Sequence, residues 1–449
     1  MNATQQLAKF ISTTRYDDIP PPVLDATRTI LLDGIANVLA GSTQHEVEFV
    51  RRYVDRLGGR ADCTIVGSPN RTNAPLAAFA NGAAMHVLDY EPQGIPSTHG
   101  TSTLLPGILA LAEVNGLSGR AVVTAFAVGW EVQQRIAMAA RRAESRPFHP
   151  PGIYGPPSCA AACANLLGLN EQQTRVALGI GASRTGALFA NNGTMTKCTH
   201  PGNAGRMGVE AAMLAADGFT ANEAIFEAGR GYVETLFGNT FEWDALLGGL
   251  GHEWNLQKHG FNIKRYPAQI AMQWATESVV LLREKNNLRA DEVEWLELEV
   301  SSRRPGLSRP APATGLDGKF SFEYVAAVAL TQDQVGIDSF SDAVRFSAPV
   351  EAALKKIRLK PNPDISTSTL ETWAQARAGL KDGRVLVERC DAYRGCSRNP
   401  ITREAHLVKV RDCMRGVLPE AKMERLIGLV DGLHELKDAR GLVRALVGE

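Results

Sequence analysis

The stretch HVLDYEPQGIPSTHG, residues 86–100, places Asp89 and His99 ten residues apart around two prolines. Aspartate and histidine side chains orient, accept and deliver protons near neutral pH. The prolines disfavour regular helix and strand between them. Both side chains can therefore face one cavity, and the pattern indicates a site of proton transfer.

Three further polar clusters lie at loops or predicted helix ends. They contain His149 in RPFHPPGIYGPP, Lys197 and His200 in NNGTMTKCTHPGNAGR, and Lys264 in GFNIKRYPAQ. Lysine ammonium groups and helix N-terminal amides bind carboxylates, whereas histidine moves protons. If the clusters converge in space, they provide what a site for a small polycarboxylate needs.

Each of these residues also has a purely structural interpretation. A histidine between prolines, such as His149, is often a hydrogen-bonded structural residue. Lys197 fits a solvated loop cation, while Lys264 and His200 fit caps of neighbouring segments. The functional interpretation depends on the helices that bring the clusters together.

Several catalytic motifs are missing from the sequence. It contains no Walker A sequence, no Gly-x-Ser-x-Gly elbow and no His-Glu-x-x-His, although it has nine histidines. GIGASRTG, residues 179–186, follows a helical pattern rather than a strand, so we interpret it as helix packing. Phosphoryl transfer, redox and zinc-hydrolase chemistry are disfavoured.

Composition narrows the class of partner. The 449 residues are 44% apolar and 21% charged, and 48 basic side chains balance 48 acidic ones. No block of like charge suggests nucleic-acid or membrane binding, and no long apolar run or signal sequence is present. We expect a cytoplasmic protein whose partner is a small molecule.

The elements that must position these residues are mostly helices. From residue 3 to about 260, apolar residues recur every three or four positions, and many are alanine or glycine, which permit close helix packing. Within this region we predict helices that begin near Ser158 and near Asn203, after the second and third clusters. The tail from Ile401 to Val447 returns to the helical pattern.

Between these helical parts, apolar and polar residues alternate, as is typical of strands. We predict strands at EVEWLELEVSS (292–302), KKIRLKPN, ETWAQARAGL and RVLVERCD. The last two form a predicted hairpin around Asp382-Gly383. We predict a mainly α protein: a large all-helical domain, 1–265 plus 395–449, with an inserted smaller α+β lid domain, 266–394.

The same clusters resemble the MmgE/PrpD family, which includes 2-methylcitrate dehydratase, cis-aconitate decarboxylase and iminodisuccinate epimerase. NGAAMHVLDYE followed by THG is similar to the first family block. Four further segments resemble the next four family blocks in the same order: FHPPGIYGP, KCTHPGNAGRMG, IKRYPA and KFSFEYVAAVAL. The resemblance therefore covers essentially the whole chain.

The resemblance implies a helical domain with an α+β lid, a homodimer, and a pocket that works without metal or organic cofactor. It assigns proton transfer at carbon to His99, with Asp89 orienting or tuning that group. It also implies that several residues bind carboxylates or close the site: His149, Lys197, Lys264 and, from the lid, Tyr324.

The chain departs from the family pattern at two places. Pro92 and Gln93 stand where relatives often have Asp and Thr, and Gln269 and Gln273 stand where a Cys or His contact is common. These differences leave the reaction open. The resemblance favours a lyase that removes water or carbon dioxide, with an epimerase of a dicarboxylate as the alternative. A non-catalytic carboxylate-binding protein and a metal-dependent hydratase are further hypotheses.

Overall fold

The computed structural model describes residues 2–143 and 148–447, and the fold is mainly α-helical. Twenty α-helices occur within these ranges: α1 (Ala3–Thr13), α2 (Pro21–Ser42), α3 (His45–Leu57), α4 (Ala74–His86), α5 (Gly100–Asn115), α6 (Gly119–Ala139), α7 (Pro150–Leu166), α8 (Glu171–Ala182), α9 (Thr196–Ala216), α10 (Tyr232–Phe237), α11 (Trp243–Leu247), α12 (Asn255–Lys258), α13 (Met272–Asn286), α14 (Gly315–Gly318), α15 (Phe322–Thr331), α16 (Asp342–Arg345), α17 (Ala348–Leu354), α18 (Arg403–Met414), α19 (Glu420–Asp431) and α20 (Arg440–Leu446). The mainly α prediction is confirmed.

The strands form two small sheets. The strands of the described ranges are β1 (Cys63–Thr64), β2 (Arg71–Thr72), β3 (Val293–Ser301), β4 (Ile357–Asn362), β5 (Ala374–Leu380) and β6 (Val385–Cys390). The pair β1–β2 is antiparallel, and the second sheet has the order β4-β3-β5-β6. In it, β3 is parallel to β4 and antiparallel to β5. The sequence predicted the four strands of this mixed sheet but not β1 or β2.

The alternating apolar side chains of β3 are buried, and from Leu298 to Ser301 the polar side chains between them are buried too. Leu296, Leu298 and Val300 are buried, whereas Trp295 is only partly buried. The register shifts between Val293 and Trp295, and this irregularity changes the phase of the strand. At the β5–β6 turn the backbone of Gly383 has φ +88°, which confirms the predicted Asp-Gly hairpin.

Two helix starts differ from the sequence prediction. The helix after His149 begins at Pro150 rather than near Ser158, because proline fits the first turn, where its missing N–H has no helical partner. The helix expected near Asn203 begins at Thr196 and continues through Pro201. Prolines in both segments look like helix breakers, but packing overrides their local preference. Lys197 and His200 therefore lie on the helix α9, not in a loop before it.

Buried apolar side chains form two separate clusters. The larger helical core runs from Leu7 to Leu256 and resumes at Val410 in the C-terminal helices. The smaller core lies between Tyr266 and Cys396 and includes the faces of α13, α15 and β3. Across the described ranges, every helix is too short or too polar to cross a membrane.

Candidate functional site

Asp89 lies between the two cores, just after α4. Its carboxylate accepts a 2.9 Å hydrogen bond from Nζ of Lys197 and pairs through its other oxygen with Lys264. All three side chains are buried. Burial opposes ionisation of Asp89, but the two ammonium groups outweigh it and hold the pKa of this carboxyl well below its usual range. Asp89 is therefore an anion at neutral pH.

Glu91 holds two imidazoles at one carboxylate oxygen. Its Oε1 is 2.5 Å from Nδ1 of His86 and 2.8 Å from Nδ1 of His99, and it also accepts from the hydroxyl of Ser102 at 3.0 Å. An ionised carboxylate only accepts, so each ring presents Nδ1–H to it. Burial opposes ionisation of Glu91, but the histidines lower its pKa.

The Nε2 atoms of the two imidazoles are consequently acceptors. Nε2 of His86 is 2.7 Å from Nζ of Lys197, which joins the Glu91 pair to Asp89. Nε2 of His99 lies 3.1 Å from the side-chain amide nitrogen of Gln93. The Gln93 carbonyl in turn accepts from the hydroxyl of Ser97, so Gln93 covers the nitrogen of His99 that is free of Glu91.

A second histidine pair completes the cluster. Nδ1 of His149 and Nδ1 of His200 are 3.0 Å apart, and one ring donates to the other. The His149 ring centroid lies 5.8 Å from that of His86 and 5.6 Å from that of His99. Pro150 and Pro151 fix the first turn of α7, so His149 is held at the helix entrance.

All four histidines are disposed to be neutral at pH 7. Burial lowers the pKa of His86 to about 3 and of His200 to about 4, and it also lowers the pKa values of His99 and His149. Nearby Lys197 adds to the effect. Neutral imidazoles beside ammonium groups can accept a proton once negative charge arrives.

Close helix packing brings the residues of the cluster together. Helices α4 and α9 cross at Gly82 and Gly202, where a Cβ on Gly202 would lie 2.4 Å from the carbonyl oxygen of Phe79. Only glycine permits this approach. Because His86 ends α4 and Lys197 begins α9, the crossing places one beside the other.

Tyr324 differs from the other predicted site residues. Its hydroxyl donates to the carbonyl of Ser339 at 2.6 Å, and its ring packs against Phe340 in the smaller core. The structure therefore brings Asp89, His99, His149, Lys197 and Lys264 into one cluster and gives the Tyr324 hydroxyl a partner outside it.

Sequence reasoning missed the roles of several residues in the cluster. His86 and Glu91 stand three residues before and two after Asp89, and this spacing at a helix end was the available signal. His200 follows Lys197 by three residues, which are neighbours on a helix, but the prediction placed both in a loop. Lys319 lies 230 residues from Asp89, and no local pattern connects them.

Two groups have the donor types of a cation site. Their possible ligand atoms lie within 4.8 Å of one another, and the groups are His86, His99 and His149, and Asp89, Glu91 and His99. However, ammonium groups engage both oxygens of Asp89 and the Nε2 of His86. Nearby ammonium charge repels a cation, so this donor set fits an anionic ligand better.

Two cavities lie near the cluster. One, of about 10 Å³, borders Asp89, Lys197 and Lys319. The other has a volume of about 740 Å³. Ser97 and Pro150 border it, and the rest of its lining consists mainly of apolar side chains and hydroxyl groups. Its arginines Arg141 and Arg142 pair with Glu242. Although smaller, the first cavity has the charges that a polycarboxylate requires.

The family comparison covers most of the chain. A model described as the MmgE/PrpD N-terminal domain matches residues 5–244, and one described as the MmgE/PrpD C-terminal domain matches residues 266–435. The boundary between the two matches lies next to Lys264, where the two cores meet.

Similar proteins match along nearly their whole length. Cis-aconitate decarboxylase of Mus musculus is 30% identical, with 100% of this chain and 94% of that protein covered. The Homo sapiens protein of the same name is 29% identical, with 99% and 94% covered. Cis-aconitate decarboxylase-like protein oryM of Aspergillus oryzae is 26% identical, with 100% and 98% covered. The matches indicate a lyase, and the chain belongs to the MmgE/PrpD family.

Proposed function

We propose that this chain is a decarboxylase of a small unsaturated tricarboxylate, with cis-aconitate as the first candidate substrate. The observation that carries the proposal is the buried carboxylate of Asp89 between Lys197 and Lys264, with Lys197 also bonded to the imidazole of His86. Ammonium groups bind carboxylates, and imidazoles move protons. The names of the similar proteins favour decarboxylation over dehydration.

The proposed reaction consists of a bond cleavage followed by a proton delivery. The bond between the substrate's methylene carbon and its carboxylate breaks, and carbon dioxide leaves. The freed electron pair forms a double bond to the central carbon. The electrons of the former double bond move onto the neighbouring carbon and its carboxylate as an enolate, which takes up one proton at carbon. We assign Lys197 and Lys264 to stabilisation of the enolate charge.

We assign the proton delivery to Nε2 of His99. Because Nδ1–H donates to Glu91, Nε2 is the nitrogen that gains and loses a proton. Burial lowers the pKa of His99 in the free protein, whereas the negative charge of bound carboxylates raises it. Substrate binding would therefore load His99 with the proton that the enolate needs. His149 is assigned to a substrate carboxylate, and Asp89 to orientation of the lysines.

The test is turnover of cis-aconitate in deuterated buffer, followed by proton NMR. Decarboxylation predicts carbon dioxide and a product with one deuterium at the carbon that is protonated. His99→Ala should abolish turnover, while His45→Ala, a change at an exposed histidine paired with Glu48, should not. Absence of turnover by the wild-type chain would contradict the proposal for this substrate.

The same assay separates the alternative reactions. Citrate and 2-methylcitrate test a dehydratase, and iminodisuccinate tests an epimerase, which exchanges a proton without losing carbon. The epimerase remains the second candidate because Gln93 covers Nε2 of His99 with its amide. Unchanged activity with a chelator would remove a metal-dependent hydratase. Ligand binding without turnover of any substrate, unaltered by His99→Ala, would favour a binding protein.

We extend the proposal to the movement of the smaller part of the chain. A cavity of about 10 Å³ beside Asp89 holds roughly one water, so a six-carbon substrate requires the site to open. We assign residues 266–394 as an α+β lid on the helical part, 1–265 plus 395–449, with Tyr324 helping to close it. Hydrogen exchange around Tyr324 should slow with saturating substrate. Sedimentation should detect the homodimer that the family resemblance implies.

A further inference from the structure

Three consecutive carbonyl groups around Asp89 each accept a hydrogen bond from a different buried lysine. The carbonyl of residue 88 accepts from Lys319 at 3.1 Å, that of Asp89 from Lys264 at 2.7 Å, and that of residue 90 from Lys409 at 2.9 Å. Lys264 also pairs with the Asp89 carboxylate. Lys319 and Lys409 bond the backbone on either side of it.

The backbone at this point has an unusual conformation. Asp89 has φ +50°, in the left-handed region that residues other than glycine seldom adopt. Such a conformation persists when its surroundings hold it in place. The ammonium groups of Lys319 and Lys264 fix the carbonyls of the two peptide planes next to Asp89, and that of Lys409 fixes the carbonyl of the plane that follows residue 90.

The two outer lysines come from distant parts of the chain. Lys319 follows α14, at the edge of the smaller core, and also donates to the carbonyl of Pro267 at 3.2 Å. Lys409 lies on α18, where its ammonium also contacts the carboxylate of Asp33 at 2.9 Å. Each lysine therefore ties the Asp89 backbone to an element that is itself held by other contacts.

A further contact connects the same loop to the segment that carries Lys264. The hydroxyl of Tyr90 donates to the carbonyl of Arg265 at 2.8 Å, and the ammonium of Lys409 lies 3.9 Å from the centre of the Tyr90 ring. The residue after Asp89 thus contacts the residue after Lys264. By holding Tyr90 in place, these contacts help to set the distance between the Asp89 carboxylate and the Lys264 ammonium.

We propose that Lys319 and Lys409 are positioning residues of the reaction: they hold the carbonyls on either side of Asp89 and so aim its carboxylate at Lys197 and Lys264. The inference rests on the proposed function for its kinetic readout. Neither lysine bonds the Asp89 carboxylate in the described structure, so each acts on it through the backbone. Lys319 also borders the cavity beside Asp89 and Lys409 does not, so Lys409 provides the decisive comparison.

The kinetic experiment is a double-mutant cycle. Lys319→Met and Lys409→Met each keep an unbranched side chain but remove the ammonium. Each should lower kcat for cis-aconitate roughly 10- to 100-fold with a smaller change in KM, as expected for misplaced catalytic geometry. In an Asp89→Asn background, the same changes should lower kcat less than 3-fold, because the carboxylate that they aim is gone.

Two control variants distinguish positioning from general loss of lysine contacts. Lys356 lies beside the four-stranded sheet and donates to the carbonyls of Ala290 and Val293, far from Asp89 in the chain. Lys356→Met removes the same type of bond and should leave kcat within 2-fold. Arg411→Met, at an exposed cation on α18, should do the same. If Lys409→Met fails to fold, Lys409→Gln replaces it, because it removes the charge and its shorter side chain draws the donor back from the carbonyl of residue 90.

A structural measurement keeps this inference separate from the proposed function. Crystal structures of Lys319→Met and Lys409→Met should show Asp89 leaving the left-handed region or its carboxylate parting from Lys197. This readout needs no substrate, so it remains decisive if cis-aconitate is not turned over. An unchanged Asp89 conformation in both variants would overturn the inference. So would lysine substitutions that lower kcat by the same factor in the Asp89→Asn background as in the wild type.

Discussion

Asp33 and Asp89 are two buried aspartates with similar partners and different surroundings. Asp33 accepts from Nε2 of His406 at 2.9 Å, from Lys409 at 2.9 Å and from the side-chain amide of Asn37 at 2.7 Å. Asp89 is likewise held by lysines, with histidines nearby. A list of residue types and distances would not distinguish a structural cluster from a reactive one.

The difference lies in the backbone and in the position between the cores. Asp33 occupies the middle of the regular helix α2, and its partners come from that helix and from α18. Asp89 has a left-handed backbone, receives Lys264 from the segment between the two cores, and borders a small cavity. A buried charge cluster that receives partners from two separate cores is therefore the better candidate for a functional site.

The largest predicted effect distinguishes the two clusters by activity. His99→Ala should lower kcat about 1,000-fold, within the usual range for loss of a general acid or base. The free energy of unfolding should fall by about 2 kcal/mol, because the change removes a buried donor to Glu91, so the loss of activity rather than of stability is what marks this cluster. Steady-state turnover of cis-aconitate and urea unfolding measure the two quantities. A kcat within 10-fold of wild type would remove His99 from the proton-transfer role.

The matching change in the other cluster should affect stability instead. His406→Ala removes a buried donor to Asp33 and should lower the free energy of unfolding by about 2 kcal/mol. Lys409 and Asn37 still hold Asp33, so kcat should stay within about 3-fold. Urea unfolding and turnover of the same preparation provide the test. A loss of activity comparable to that of His99→Ala would contradict the distinction.

Local sequence patterns indicated the grouping of residues around Asp89 better than that around Asp33. Asp89 and His99 stand out because prolines interrupt an apolar helical pattern beside them. Asp33 and His406 are 373 residues apart, and each lies within a regular helix, α2 and α18 respectively. Their contact depends on the packing of α18 against α2, which no short-range pattern contains.

Backbone conformation was the other feature that the sequence could not supply. The positive φ of Asp89 occurs where lysines far along the chain bond the backbone, whereas the turn at Gly383 follows from its residue type. The start of α9 at Thr196 depends on packing strong enough to include Pro201 in the helix. The smaller core and its sheet were predictable because alternation in β3 is a local property.

The third prediction concerns pH and the neutral histidines of the site. His86 and His200 have folded-state pKa values lowered to about 3 and about 4, below the ordinary 6.5 of an unfolded chain. As pH falls below 6.5, the unfolded chain binds protons that the folded chain does not. The stability present above pH 6.5 is therefore lost, on the order of 1 kcal/mol per imidazole by pH 5.

Unfolding in urea at pH 7 and pH 5 measures this loss. His200→Asn should reduce it, because one proton-linked group is removed. Equal pH dependence in wild type and His200→Asn would show that the site histidines do not control acid stability.

The smallest predicted effect concerns Gln93, which separates this chain from the pattern of its family. Its amide donates to Nε2 of His99 and favours the neutral imidazole, because a lone pair that accepts a hydrogen bond is less available for a proton. Gln93→Ala should therefore raise the pKa of His99. In the dependence of kcat/KM on pH, the limb that reports His99 should move to higher pH.

Gln273→Ala serves as the control, since this amide contacts the backbone at Arg265 and Tyr266 instead. A limb that stays in place would mean that the amide does not act on the imidazole during the reaction.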